Sequence, residues 1–166
     1  MSKAIKFLVM DVDGTLTDGK IYIGVNGEIM KSFNIKDGYG IHDMLPQLGI
    51  TPVIITGRKS QIVENRCLEL GIVDFFQGVS DKKTQLEMYL ESVNGLLSQV
   101  AYVGDDLNDL PCMVWVREFG GFVAVPFDSC EELKIHADLI TNSNGGEGAV
   151  REVIDYLFYK GREITQ

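Results

Sequence analysis

The chain is 166 residues long and carries 15 basic against 24 acidic side chains, for a formal net charge of −9 at neutral pH. With 45% hydrophobic and 23% charged residues, it reads as one globular domain rather than a disordered chain. The acidic balance excludes nucleic-acid binding through a basic face, and no apolar run approaches the roughly 18 residues that a bilayer requires. The N-terminus lacks the shape of a signal peptide, and Cys67, Cys112 and Cys130 show no metal-type spacing. The three read as reduced thiols of a reducing compartment, with neither nucleic acid nor membrane as a partner.

In chain order, Ile5 to Met10 is the first apolar run, and its stretch Phe7 to Met10 shows no polar alternation, as in a strand covered on both faces. Ile21, Tyr22, Ile23 and Val25, then Asn26-Gly27, then Ile29 to Phe33 predict a β-hairpin with a type I′ turn at Asn26-Gly27. A helix follows over Ile41 to Leu48, a strand over Pro52 to Ile55, and helices over Ser60 to Leu70 and Lys82 to Val93. Next come a strand over Gln99 to Val103, a helix over Asn108 to Val116 and a strand over Phe122 to Val125. A helix over Cys130 to His136, a weak strand over Asp138 to Ile140 and a helix over Gly148 to Tyr159 complete the pattern. In the last helix Val150, Val153, Ile154, Leu157 and Phe158 share one face. This alternation predicts an α/β fold, a doubly wound and mainly parallel sheet flanked by helices, in a single domain over 1–166. The hairpin, about residues 20–33, is an insert near the carboxyl end of the first strand, where open α/β sheets bind ligands.

Four segments carry chemistry. The first strand runs into Asp11-Val12-Asp13-Gly14-Thr15. Two carboxylates on a rigid strand tip suit oxygen ligation of a hard cation, or division of nucleophile and acid–base roles. The pleat aims both to one face, but a loop starting at Asp13 lets them diverge, and a solvated turn is the plain alternative. Thr56-Gly57-Arg58-Lys59-Ser60 ends the second apolar run of the sheet and forms an anion cradle before a helix, or an ordinary cap at Ser60. Lys82 opens a helix, where a cation opposes the dipole and so hints at an anionic partner; a solvated lysine is the alternative. Gly104-Asp105-Asp106-Leu107-Asn108-Asp109 sets three aspartates within five positions after a buried strand, a like-charge cost that a cation relieves. Doubly wound topology gathers all four in one crevice. Gly145-Gly146-Glu147-Gly148 allows close backbone approach to a ligand, or is a flexible loop. His42 and His136 lack metal-ligand spacing, and Trp115, Tyr156, Phe158 and Tyr159 read as packing residues.

On these residues the chain resembles the haloacid dehalogenase superfamily of phosphotransferases. Asp11 to Thr15 is similar to its first motif, Thr56-Gly57 to its second, Lys82 to its third and Gly104 to Asp109 to its fourth. The segments TDGKIYIGVNGE, KSFNIKDGYGI, ITGRKSQIVENRCLELGI, FFQGVSDKK and GGEGAVREV resemble the capless branch that acts on phosphorylated keto-deoxy sugar acids. The short stretches from Asp13 to Thr56 and from Lys82 to Asp105 leave no room for a cap domain.

The resemblance implies that the α/β fold is Rossmann-like, and that the chain is a Mg²⁺-dependent phosphomonoester hydrolase working through an aspartyl-phosphate. Asp11 would be the nucleophile and Asp13 the general acid and base. Thr56 and Gly57 would hold phosphoryl oxygens, and Lys82 would stabilise charge. Asp11, Asp105 and Asp13, the last through its backbone carbonyl, would ligate the metal, with Asp106 and Asp109 orienting Lys82 or metal-bound water. Arg58 is the candidate for the substrate carboxylate, with Asp37, Gly38 and Arg151 as further substrate-binding candidates. The implied substrate is 3-deoxy-D-manno-octulosonate 8-phosphate, a lipopolysaccharide precursor, and nonulosonate 9-phosphates are the alternative. Arg58 follows the octulosonate pattern, whereas nonulosonate enzymes can carry Glu there. A cytoplasmic homotetramer is implied, with Ile21, Tyr22, Ile23 and Phe33 buried between subunits. Two other readings are a non-catalytic oligomerisation module beside a sugar-acid cytidylyltransferase and a signalling receiver. The intact acid pair and Lys82 argue against the first, and the paired acids on the first strand against the second. Thr15 and Lys83 stand where octulosonate enzymes commonly have Val and Leu, and both read as outside the chemistry.

Overall fold

The structure, a computed structural model, describes residues 4–163. A six-stranded sheet has the order β5-β4-β1-β6-β7-β8, with every neighbouring pair parallel. Its strands are β1 (Phe7–Met10), β4 (Thr51–Thr56), β5 (Asp74–Gln77), β6 (Val100–Val103), β7 (Phe122–Val125) and β8 (Leu139–Ile140). β2 (Tyr22–Gly24) and β3 (Gly27–Met30) form a separate antiparallel hairpin. From β1 the chain moves outward to β4 and β5, then returns to β6 on the other side of β1 before continuing to β7 and β8. The order therefore reverses between β1 and β6, the place where a crevice opens at the carboxyl ends of the strands. Register sets Met10 level with both Ile54 and Val103, so Asp11 emerges at the centre of that edge.

Helices cover both faces, which is why β1 and β6 are buried along their whole length. On one face Leu8, Met10, Ile54 and Val103 pack with Ile41, Leu45, Val63, Cys67, Val150, Val153 and Ile154. These come from the segment holding α1 (Ile35–Tyr39), a π-turn and α2 (Leu45–Leu48), and from α3 (Gln61–Glu69) and α7 (Ala149–Glu163). On the other face Val9, Val53, Ile55, Tyr102, Val123 and Val125 meet Leu86, Leu90, Cys112, Met113, Val116 and Leu133. Those side chains come from α4 (Lys82–Ser92), α5 (Leu110–Glu118) and α6 (Glu131–Lys134). Among the described residues no helix is long and apolar enough to cross a membrane.

Three expectations change. β5 was not predicted: its four residues are only half-buried at the sheet edge, so no apolar run marks it. The first helical segment begins at Ile35 rather than Ile41, with Asn34 accepting a bond from Lys36 N at 2.8 Å as its cap. Gly38 and Gly40 hid it, because glycine reads as a helix breaker; at Gly40 a Cβ would come within 2.9 Å of Ile154 Cδ1 on α7. The hairpin forms, but its turn is not type I′. Gly24 pairs with Gly27, so Val25 and Asn26 are the central residues, and of this turn only Gly27, with φ 108°, lies in the left-handed region.

Candidate active site

Asp11 leaves β1 with its backbone N bonded to Val103 O of β6 at 3.0 Å. One carboxylate oxygen accepts from Val12 N at 2.7 Å and the other lies 2.8 Å from Lys82 Nζ. Lys82 comes from the first turn of α4, whose N-terminus is capped by Asp81, bonded to Thr84 N at 3.1 Å. Its side chain is 3% exposed and also meets Asp109 Oδ1 at 2.8 Å. A buried ammonium is costly unless paired, and here two carboxylates pair it. Burial works against its charge, but Asp109 and Asp11 outweigh burial and raise its pKa.

Asp109, fully buried, is the hub. Its Oδ1 accepts from Tyr102 Oη at 2.7 Å as well as from Lys82, and its Oδ2 accepts from Asp105 N at 3.2 Å. Gly104 makes this fold-back possible, since a Cβ there would lie 2.3 Å from Asp109 Cγ. Asp105 is bonded through Oδ1 to the Thr15 hydroxyl at 3.1 Å. Gly14, with φ +89°, brings its backbone against that carboxylate: a Cβ would stand 1.9 Å from Asp105 Oδ2.

Asp11, Asp105 and Asp109 each place a carboxylate oxygen within 4.8 Å of the others. Burial, then repulsion from Asp109, pushes Asp11 up to about 6 against the pull of Lys82. Burial, then Asp11 and Asp109, push Asp105 up to about 8. An all-oxygen donor set with mutual repulsion fits a hard divalent cation, which would relieve the crowding. Asp109 already accepts from Lys82, Tyr102 and the Asp105 backbone N, whereas Asp11 meets Val12 N and Lys82 and Asp105 meets Thr15, so Asp11 and Asp105 keep more acceptor capacity for an ion. Asp13 diverges from this cluster, as a loop beginning there permits. Its carboxylate turns to Lys31 Nζ, a bond from just beyond β3, and Arg58 Nε stands 3.8 Å from its other oxygen.

Thr56 ends β4 beside this edge, buried, with Gly57 exposed beyond it. Arg58 is 47% exposed and loosely paired, with its terminal nitrogen 3.7 Å from Glu28 Oε1. Ser60 begins α3 without capping it and instead donates to Glu28. Asp106 is exposed and bonded to Leu107 N at 2.8 Å, so it does not reach Lys82. Asp37, Gly38 and Arg151 lie at the seam of α1 and α7 instead. Asp37 is buried and accepts from Arg151 N at 2.7 Å, Gly38 packs on Arg66, and Arg151 pairs with Asp155 at 2.9 Å. The glycine run 145–148 approaches backbone, but that of its own chain: Gly146 N bonds Thr15 O at 3.1 Å, and a Cβ at Gly145 would fall 1.8 Å from Gly14 O.

Four participants escaped the sequence reading. Thr15 donates its hydroxyl to the Asp105 carboxylate, whereas Lys83 lies over the Trp115 ring, 5.0 Å from its centroid. Tyr102 sat inside an apolar run, and Glu28 and Lys31 inside a hairpin, where no local pattern announces a partner far along the chain.

A Rossmann-like sheet with this acid cluster, a Thr-Gly strand end and a buried lysine defines a phosphatase of the haloacid dehalogenase superfamily. No family model matches the chain. It is 49% identical over 159 residues to the 3-deoxy-D-manno-octulosonate 8-phosphate phosphatase KdsC of Salmonella typhi, covering 95% of this chain and 82% of that protein. The crystal structure of the same phosphatase from Moraxella catarrhalis, in complex with magnesium ion, phosphate ion and KDO, is 42% identical with a TM-score of 0.86, covering 93% and 86%. The cobalt-bound phosphatase of Haemophilus influenzae is 37% identical with a TM-score of 0.86, covering 93% and 88%. The chain belongs to the family of 3-deoxy-D-manno-octulosonate 8-phosphate phosphatases.

Proposed function

We propose that this protein hydrolyses 3-deoxy-D-manno-octulosonate 8-phosphate to the free sugar acid and inorganic phosphate, with Mg²⁺ as cofactor. The observation that carries the reading is Asp11, anchored by Lys82 at 2.8 Å and set beside Asp105 from the neighbouring strand. Asp11, Asp105 and the backbone carbonyl of Asp13 would hold the ion. When bound, it neutralises phosphate charge so that a carboxylate can approach an ester dianion.

Asp11 attacks phosphorus in line, a P–O bond to Asp11 forms, and the P–O bond to the sugar breaks. Asp13 gives its proton to the leaving sugar oxygen. As a carboxylate it then takes a proton from water, whose oxygen attacks phosphorus, and Asp11 leaves as a carboxylate with release of phosphate. Lys82 holds Asp11 in orientation and offsets charge on the phosphoryl group, while Thr56 and Gly57 offer donors to its oxygens. Asp109 keeps Lys82 and the Asp105 backbone in place. Arg58, exposed at the mouth, is suited to pair with the sugar carboxylate.

Residues 1–166 act in this reading as one catalytic domain in the reducing cytoplasm, consistent with three unpaired cysteines. Of the hairpin residues expected between subunits, Ile21 and Ile23 are exposed, whereas Tyr22 is half-buried and Phe33 packs on the protein's own core beneath Arg66. Ile23 at 71%, Val25 at 102% and Ile29 at 65% exposure make the apolar face that a homotetramer would cover. Ile23→Glu is expected to reduce the mass measured by light scattering; an unchanged assembly would remove the hairpin from the interface. The deciding experiment measures phosphate release with Mg²⁺ from the octulosonate 8-phosphate, a nonulosonate 9-phosphate and simple hexose phosphates. The first is expected to have the highest kcat/KM, and Asp11→Asn to show no turnover with its fold kept. Preference for another ester would reassign the substrate, and turnover by Asp11→Asn would exclude the covalent route.

A further inference from the structure

The hairpin reaches into the site. Lys31, one residue past β3, has a side chain only 1% exposed, and its Nζ donates to Asp13 Oδ1 and lies 3.0 Å from Glu28 Oε1. Glu28 is itself tied to the loop after β4, through the Ser60 hydroxyl and through Arg58 at 3.7 Å. A lysine kept this far from water needs compensating anions, and the chain supplies two from separate elements. The result is a bridge that runs from the hairpin to Asp13 and holds its carboxylate outside the cluster of Asp11, Asp105 and Asp109. A short aspartate side chain freed from that bridge has other staggered rotamers open to it.

We infer that Lys31 is a positioning residue of the hydrolysis: it fixes the Asp13 carboxyl on the leaving-group side of the site, with Glu28 as the brace that fixes Lys31. The inference rests on the proposed role of Asp13 as proton donor to the departing oxygen. It gives the hairpin a second task beside any contact between subunits, since its exposed apolar residues face outward while Lys31 points to the catalytic loop. A displacement of about 1 Å in a catalytic group costs on the order of 100-fold in rate, and general acid catalysis is worth roughly 10²–10⁴-fold.

The test compares leaving groups that share no sugar contacts. Phenyl phosphate needs a proton on its departing oxygen far more than p-nitrophenyl phosphate does, and kcat/KM reports only the steps up to formation of the phosphoenzyme. Lys31→Met is expected to lose roughly 100-fold in kcat/KM on phenyl phosphate and at least about tenfold less on p-nitrophenyl phosphate. Lys31→Arg, which keeps the charge and the reach, is expected to restore much of the loss. A parallel loss on both esters would overturn the inference, because a loosened fold slows both alike. If Lys31→Met does not fold, Glu28→Gln removes the brace and leaves the lysine; it is expected to give a smaller loss of the same leaving-group selectivity, and an equal effect on both esters overturns the inference again. Wild-type protein inert toward every ester would instead refute the proposed function itself.

Discussion

Lys82→Met tests the electrostatic core of the site. The substitution keeps the volume of a side chain that is 4% exposed as a residue and removes its charge. Nζ now lies 2.8 Å from Asp11 and 2.8 Å from Asp109, with Asp105 beside them, so the variant leaves a buried group of carboxylates without a cation. Breaking a buried ion pair by deleting one partner costs about 3–5 kcal/mol. With two partners stranded, the upper end of that range, about 5 kcal/mol, is expected at pH 8 without metal. That is a large share of the roughly 5–15 kcal/mol that holds a domain together. The loss should shrink as pH falls. Asp11 and Asp105 are already pushed up to about 6 and about 8, and Lys82 lowers both, so its removal raises them further and lets protons replace the missing charge. Urea unfolding of wild type and variant in chelator at pH 6 and pH 8 reads both effects. Adding Asp11→Asn to Lys82→Met deletes one of the repelling charges and is expected to recover a sizeable part of the stability. Turnover of Lys82→Met should fall about 10²–10³-fold. A change under about 1 kcal/mol at pH 8, with no dependence on pH, would refute the account of Lys82 as the charge that makes this cluster tolerable.

Two further outcomes follow from single contacts. Gly14→Ala places a methyl group 1.9 Å from Asp105 Oδ2 at a φ of +89°, so metal affinity measured by calorimetry should drop on the order of 10–100-fold, the scale seen when a metal ligand loses its orienting partner; unchanged affinity would remove Asp105 from the metal site. Asp37→Asn keeps an oxygen for Arg151 N but removes a carboxyl that burial pushes up to about 6. Because that value lies above the ordinary 3.8, wild type loses about 3 kcal/mol from this group as pH rises from about 4 to about 6, and the variant does not. The stability advantage of Asp37→Asn should therefore grow across that window and stay constant above it; a difference that does not vary with pH would place Asp37 in a less buried setting.

Much of the site was legible because strand periodicity and motif position are local properties. Apolar runs ending in Asp11, Thr56 and Asp105, and a lysine opening a helix at Lys82, locate four strand or helix ends, and parallel topology brings such ends to one edge whatever the details. Residue chemistry also announced the cation, since carboxylates crowded after a buried strand repel one another.

Which partner each carboxylate meets was decided only in three dimensions. Asp13 and Asp11 are two residues apart, yet one faces Lys31 of the hairpin and the other Lys82 of α4, because β1 ends at Met10 and the loop that follows turns Asp13 away from Asp11. Asp106 and Asp109 look alike in sequence, but the backbone folds Asp109 inward over Gly104 and leaves Asp106 in solvent. Thr15, Tyr102, Glu28 and Lys31 acquire their roles from partners distant in the chain, and Asp37 becomes an anchor for α7 through a bond spanning 114 positions. Local sequence determines element type and the chemistry each strand end carries. Pairing between side chains depends on the packed distances between elements, which no short-range pattern encodes.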